Sequence, residues 1–92
     1  MARVELTSHL HTFFPQLAEA TLHFEVATVA EVVQALDALA PGLAFYLCDE
    51  RGRLRRHVNI FVDGDLVSDR GRLSDPVQTD TRVLIMQALS GG

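Results

Sequence analysis

One segment of the chain has a helical repeat of apolar side chains, and it restricts the fold more than any other feature of the sequence. Apolar residues recur at helical spacing from Val29 to Leu39. Thr28 and Glu31 match a capping box at the start of this segment. Ala40-Pro41-Gly42 ends it, because proline cannot continue a helix and glycine tolerates left-handed backbone. The predicted helix has one apolar face, which other elements have to cover.

The remaining regular segments have the two-residue period or the β-branched composition of strands. Strands are predicted at Arg3 to Thr7, Thr21 to Val26, Val58 to Val62, Leu66-Val67 and Arg82 to Leu89. A connection from Ser8 to Ala20 joins the first two, and Asp63-Gly64 is a strong hairpin signal after the third. The apolar run from Leu43 to Leu47 fits either a helix or a strand.

One amphipathic helix among these strands predicts an α+β fold. The helix would cover one face of a mixed sheet of four or five strands, which is the β-grasp (ubiquitin-like) arrangement. A chain of 92 residues is short for more than one domain, so we expect a single domain over residues 1–92. Residues 89–92 are expected to form a flexible diglycine tail.

Composition and charge exclude several classes of protein. Twelve acidic and eight basic residues leave a net charge of −4, which argues against nucleic acid as the main partner. No stretch approaches the ~20 apolar residues of a membrane span, and no signal segment is recognised. Cys48 is the single cysteine and cannot form an internal disulfide. We therefore expect a cytoplasmic protein without a membrane partner.

Catalytic and metal-binding patterns are absent from the sequence. There is no glycine-rich phosphate loop, no nucleophile elbow and no zinc-protease motif. His9 and His11 could share a zinc ion, but the other candidate ligands, His23, His57 and Cys48, show no recognisable spacing. We expect no metal or bound cofactor and no catalysis by this chain.

A local basic run interrupts the acidic chain. The run consists of Arg51, Arg53, Arg55, Arg56 and His57, and Arg70 and Arg72 follow it. The run is either a solvated hairpin balanced by Asp49 and Glu50, or a docking surface for an acidic partner or an anionic ligand.

The last two residues, Gly91 and Gly92, are the most informative for function. Two terminal glycines are expected by chance about once in 200 sequences, given glycine at ~7% of residues. Glycine adds nothing to a core, but a backbone without Cβ can enter a narrow channel and present its carboxylate there. Such a carboxylate would first need activation, most simply as an acyl-adenylate by a partner carrying ATP. The alternative is an incidental flexible end.

Three segments, in this order, resemble the ThiS/MoaD family of ubiquitin-like sulfur carriers. They are Pro41-Gly42-Leu43, the run from Asp49 to Gly64, and Ala88-Leu89-Ser90-Gly91-Gly92. The resemblance implies that an activating enzyme adenylates Gly92 and that a sulfur donor enzyme converts it to a thiocarboxylate. Ser90, Gly91 and Gly92 would then enter a synthase that accepts the sulfur. The resemblance leaves molybdopterin, cysteine and other thio-metabolite biosynthesis open.

Strand parity predicts an apolar patch on the sheet face away from the helix. If Val83 and Ile85 face the helix, Leu84 and Met86 face away, and Phe61 does the same on the neighbouring strand. Exposed apolar side chains of this kind indicate docking, here of the activating enzyme. The alternative is that the Ser8–Ala20 connection or a second copy of the chain covers them.

Two rival functions share the same predicted fold. The chain could be a protein modifier conjugated through Gly92 to lysines of other proteins, or a non-covalent β-grasp interaction module. All eight basic residues are arginine, so the chain cannot build lysine-linked polymers of itself.

Overall fold

A computed structural model describes residues 1–7, 10, 12, 14–17 and 22–87 of the chain. The described residues form five strands, two α-helices and a short 3-10 turn. These elements are β1 (Ala2–Leu6), the 3-10 turn (Pro15–Leu17), β2 (Leu22–Phe24), α1 (Val29–Leu39), α2 (Leu43–Leu47), β3 (Val58–Val62), β4 (Asp65–Leu66) and β5 (Arg82–Gln87).

The five strands form one mixed sheet in the order β2-β1-β5-β3-β4. β5 is the central strand: it runs parallel to β1, with Val4 opposite Val83, and antiparallel to β3, with Ile60 opposite Ile85. The outer pairs, β1 with β2 and β3 with β4, are antiparallel. This arrangement confirms the predicted α+β class and the β-grasp fold.

The predicted helix is α1, and its ends form as the sequence indicates. The Thr28 side chain accepts a hydrogen bond from the Glu31 N–H at 3.3 Å, and the Glu31 carboxylate accepts one from the Ala27 N–H at 3.1 Å. The first bond satisfies an N–H group that the first turn leaves unpaired, and the second ties the residue before the N-cap to the helix. At the other end Gly42 has φ +101°, a left-handed conformation that glycine adopts at little cost.

The segment from Leu43 to Leu47, whose type the sequence left open, is the short helix α2. The Asp37 carboxylate of α1 accepts hydrogen bonds from the N–H groups of Gly42 and Ala44, at 3.1 and 3.0 Å. One acidic side chain therefore fixes the turn between the two helices.

The core lies between the helices and one face of the sheet. Its fully buried residues include Val29, Val32, Leu36, Leu43, Leu47, Val58, Ile60, Val83 and Ile85. Leu10 and Leu17, from the connection between β1 and β2, belong to the same cluster. Burial of each large aliphatic side chain stabilises the fold by about 1.5–3 kcal/mol relative to exposure. Cys48 is buried as well, and burial raises the pKa of its thiol, with a smaller contribution from the negative charge of Asp49.

Several predicted strand limits were wrong by one or more residues. β2 covers Leu22–Phe24 and ends before the predicted Val26. Asp63 and Gly64 both have positive φ, 49° and 87°, as a two-residue hairpin turn of type I′ requires. This tight turn starts the return strand β4 at Asp65, one residue before the predicted Leu66. The predicted end of the last strand, Leu89, lies outside the described residues. No helix in the described ranges is long and apolar enough to cross a membrane.

Candidate functional site

The face of the sheet away from α1 has a group of apolar side chains that the core does not use. On β5, Ile85 is fully buried, whereas Leu84 is partly exposed and Met86 is 37% exposed. On β3, Ile60 is fully buried and Phe61 is partly exposed. Since neighbouring residues of a strand point to opposite faces, Phe61, Leu84 and Met86 lie on the open face, where sequence parity predicted them.

Strand register brings these side chains together and adds a fourth. Phe61 lies opposite Leu84 on β5 and opposite Leu66 on β4. Directly opposite residues share a face of the sheet, and the Leu66 side chain is among the exposed large hydrophobic side chains. We call Phe61, Leu66, Leu84 and Met86 the open-face patch. Leu66 was missed from sequence, although a two-residue turn at Asp63-Gly64 implies that it pairs with Phe61.

Three apolar residues of the connection between β1 and β2 pack away from this patch. Leu10 and Leu17 are buried in the core. The Phe14 ring packs edge-to-face on Tyr46 of α2, with ring centroids 5.5 Å apart. These contacts place Leu10, Phe14 and Leu17 with the core and the helices, and not over the open face.

The end of β5 is held at the point where the predicted tail begins. Gln87 lies opposite Val58 in the sheet, and its side-chain oxygen accepts a 2.7 Å hydrogen bond from the Tyr46 hydroxyl. The predicted tail residues Ser90, Gly91 and Gly92 lie outside the described residues. Five residues follow Gln87, and an extended chain of that length spans at most about 18 Å. The predicted site of chemistry is therefore within this distance of the end of β5.

The basic run lies at the same end of the sheet. Arg56 and His57 immediately precede β3, whose first residue Val58 is opposite Gln87. Residues 53–57 of the run line a shallow depression together with Arg70 and with Asn59, which lies opposite Met86 on the open face. Arg70 follows this run in the sequence, and the fold brings it into the same depression across the hairpin and loop that separate them.

The histidines show no grouping around a metal in the part of the chain that the structure describes. His23 and His57 are both exposed. No group of three or more His, Cys, Asp or Glu side chains with metal-binding geometry occurs among the described residues. His9 and His11 lie outside them.

A mixed five-stranded sheet, one main helix on one face and an apolar patch on the other define a ubiquitin-like β-grasp protein. The family model described as the ThiS family matches residues 8–92. The chain belongs to the ThiS family. The matched region includes the basic run, the open-face patch and the last residues of the chain.

Solved structures support the same fold. A chain of the Amycolatopsis orientalis BexX/CysO complex has a TM-score of 0.83 and 25% identity, with 100% of both chains covered. Mycobacterium tuberculosis CysO has a TM-score of 0.81 and 24% identity, over 97% of this chain and 100% of that one. SAMP1 from Haloferax volcanii has a TM-score of 0.76 and 21% identity, over 99% and 98% of the two chains. No curated protein sequence gives a significant match.

Proposed function

We propose that this protein is a sulfur carrier whose Gly92 carboxylate is adenylated by a ubiquitin-activating-type enzyme and then converted to a thiocarboxylate. The observation that carries the proposal is the ThiS family match, which runs from residue 8, just after β1, to Gly92. The similarity to a chain of a BexX/CysO complex supports a role that depends on binding a partner.

The chemistry uses the carboxylate of this chain and groups supplied by partners. A carboxylate oxygen of Gly92 attacks the α-phosphorus of ATP in the activating enzyme, and pyrophosphate leaves. Hydrosulfide from a sulfur donor enzyme then adds to the acyl carbon of the adenylate. The bond between this carbon and the phosphate-linked oxygen breaks, and AMP leaves. The product thiocarboxylate donates its sulfur to an acceptor held by a synthase. The chain is thus a covalent cosubstrate, and ATP is bound by the partner.

The fold supports the proposal because one strand connects recognition and chemistry. β5 contributes Leu84 and Met86 to the open-face patch and leads directly into residues 88–92. An activating enzyme that docks on Phe61, Leu84 and Met86 is then positioned to receive the tail. Since β5 is the central strand, hydrogen-bonded on both sides, the distance between the patch and the base of the tail is rigidly set.

Intact mass spectrometry tests this function directly. The chain is incubated with ATP, sulfide and the adenylating enzyme of the same organism. We expect an ATP-dependent mass increase equal to the replacement of one oxygen by one sulfur, and no change in a variant that lacks Gly92. Isopeptide linkage of Gly92 to lysines of other proteins would instead support a modifier. Absence of both products would contradict the proposal and favour a non-covalent module.

A further inference from the structure

The arginines at the tail end of the sheet form no ion pair with another described residue. Among the described residues there are two ion pairs, and Glu5 makes both, with Arg3 and Arg82. Arg82 begins β5 and Gln87 ends it, so these ion pairs lie at the end of the sheet away from Gln87. In the part of the chain that the structure describes, four arginines at the tail end have no carboxylate oxygen within 4.0 Å of their nitrogens. We call these four residues, Arg53, Arg55, Arg56 and Arg70, together with His57, the basic surface.

Arg70 adds a fixed charge to this surface. Its guanidinium donates hydrogen bonds to the carbonyl oxygens of Arg55 and Val58, at 2.7 and 2.8 Å, and to the side-chain oxygen of Asn59 at 3.2 Å. All three acceptors are neutral. The hydrogen bonds therefore fix the position of the guanidinium while leaving its unit charge uncompensated.

Arg55 is held in a similar way. Its Nε donates to the Phe45 carbonyl oxygen at 3.0 Å, and its guanidinium lies 5.0 Å from the centroid of the Phe45 ring. Again no carboxylate takes part. Arg53 and Arg56 are exposed and free to contact a partner.

Asp49 is the acidic residue that lines the same depression. Its Oδ1 accepts hydrogen bonds from the N–H groups of Arg51 and Arg53, at 2.9 and 3.1 Å. The bond from the Arg51 N–H is the largest cause of the lowered pKa of Asp49. The bond from Arg53 and the charges of Arg53 and Arg55 lower this pKa further. One carboxylate, already occupied by the turn backbone, offsets four guanidinium groups in part, so a net positive surface remains.

The basic surface is continuous with the open-face patch and with the base of the tail. Asn59, in the same depression, lies opposite Met86 of the patch, and Val58 lies opposite Gln87. A partner that covers the patch and receives residues 88–92 therefore also meets the basic surface. The overall charge of −4 disfavours nucleic acid as that partner, and guanidinium groups match protein carboxylates well.

We propose that the basic surface binds carboxylate side chains at the mouth of the channel through which the adenylating enzyme takes up residues 88–92. The inference rests on the proposed function, since it requires an enzyme that accepts the tail. Apolar contact at the patch provides affinity. The charged contact at the tail end accelerates association and orients the tail toward the channel, as complementary charges do across protein interfaces.

The test measures ATP-dependent pyrophosphate release by the adenylating enzyme of the same organism, with the carrier as the varied substrate. We expect Arg56→Glu to raise KM about fivefold at low salt, with kcat nearly unchanged, because charge reversal slows association. High salt should reduce the difference, since salt screens exposed charges. Arg3→Glu is the matched control. It makes the same charge change at the opposite end of the sheet and should leave KM within about twofold of wild type.

The possible results distinguish a failure of the basic surface from a failure of the proposed sulfur-carrier function. If the enzyme adenylates wild type and Arg56→Glu with the same KM, the basic surface has no role in docking and the inference is wrong. If Arg56→Glu and Arg3→Glu raise KM equally, the effect is one of net charge and the inference is again wrong. If wild type binds a single-stranded oligonucleotide through Arg56 and KM is unaffected, the surface serves nucleic acid instead. If wild type is not adenylated at all, the proposed function fails and this inference fails with it.

Discussion

Single carboxylates organise the long connection between β4 and β5. The two oxygens of Asp75 accept hydrogen bonds from the N–H groups of Ser68 and Asp69, at 2.9 and 2.8 Å. Hydrogen bonds to a carboxylate favour its charged form, and the bond from Ser68 is the largest cause of the lowered pKa of Asp75. This connection contains Arg70, which directly follows Asp69. Asp75 therefore stabilises the loop that carries Arg70.

Asp75→Asn should make the stability of the protein less sensitive to acid. The folded-state pKa of Asp75 is lower than its unfolded value, so its stabilisation is present above about pH 4 and disappears as pH falls through the folded pKa. Urea unfolding at pH 7 should show the variant to be less stable than wild type. The difference should shrink as the pH is lowered below about 4. A difference that stays constant between pH 7 and pH 3 would show that Asp75 acts through something other than its charge.

Local sequence patterns predicted the helix limits and the strand faces. Pairing between distant segments decided which strands became neighbours. The α1 limits followed from Thr28, Glu31 and Pro41, because capping and termination act within a few residues. The inward and outward sides of β3 and β5 followed from strand parity. The parallel pairing of β1 with β5 joins opposite ends of the chain, and no local pattern shows which strands become neighbours.

Leu66 was missed from sequence because it joins the open-face patch only through the pairing of β4 with β3. Arg70 was named with the basic run, and its loop joins the basic surface through hydrogen bonds to the carbonyl oxygens of Arg55 and Val58. The segment Leu43–Leu47 has too few residues to show a period, so its helix was visible only in the structure. The assignment of Gly92, which lies outside the described residues, stays a prediction from sequence and family resemblance.

Met86→Arg tests the open-face patch at the level of strand β5. Met86 is 37% exposed, so an arginine can project into solvent and the fold should be retained. In the complex the same arginine would place a charge against an apolar contact surface, and we expect adenylation to be abolished. Thermal unfolding should be close to that of wild type. Gln78→Arg is the control, because Gln78 is exposed on the loop before β5 and outside the patch. Normal activation of Met86→Arg would remove the patch from the docking model.

In the whole molecule, the residues that stabilise the fold are separate from the end of the chain where the chemistry is proposed. Every residue of the described core lies between Ala2 and Ile85, and the proposed chemistry takes place at Gly92. The body of the chain also offers no lysine to which the end of a second copy could be linked, because all eight basic residues are arginine. Stability and reactivity should therefore respond to different substitutions.

Two variants, Ile60→Val and a deletion of Gly92, test this separation in opposite directions. Ile60 is fully buried, and loss of one buried methylene there should cost about 0.5–1.5 kcal/mol. For a domain of this size that corresponds to a fall in Tm of about 4–8 °C per kcal/mol. Adenylation of the folded Ile60→Val variant at 25 °C should equal that of wild type, because the patch, the basic surface and the tail are unchanged. Deletion of Gly92 should leave Tm unchanged and abolish thiocarboxylate formation. A lowered Tm on deletion of Gly92 would show that the end of the chain contributes to the stability of the fold. Slow adenylation of folded Ile60→Val would show that the core affects adenylation by more than holding the docking surfaces in place.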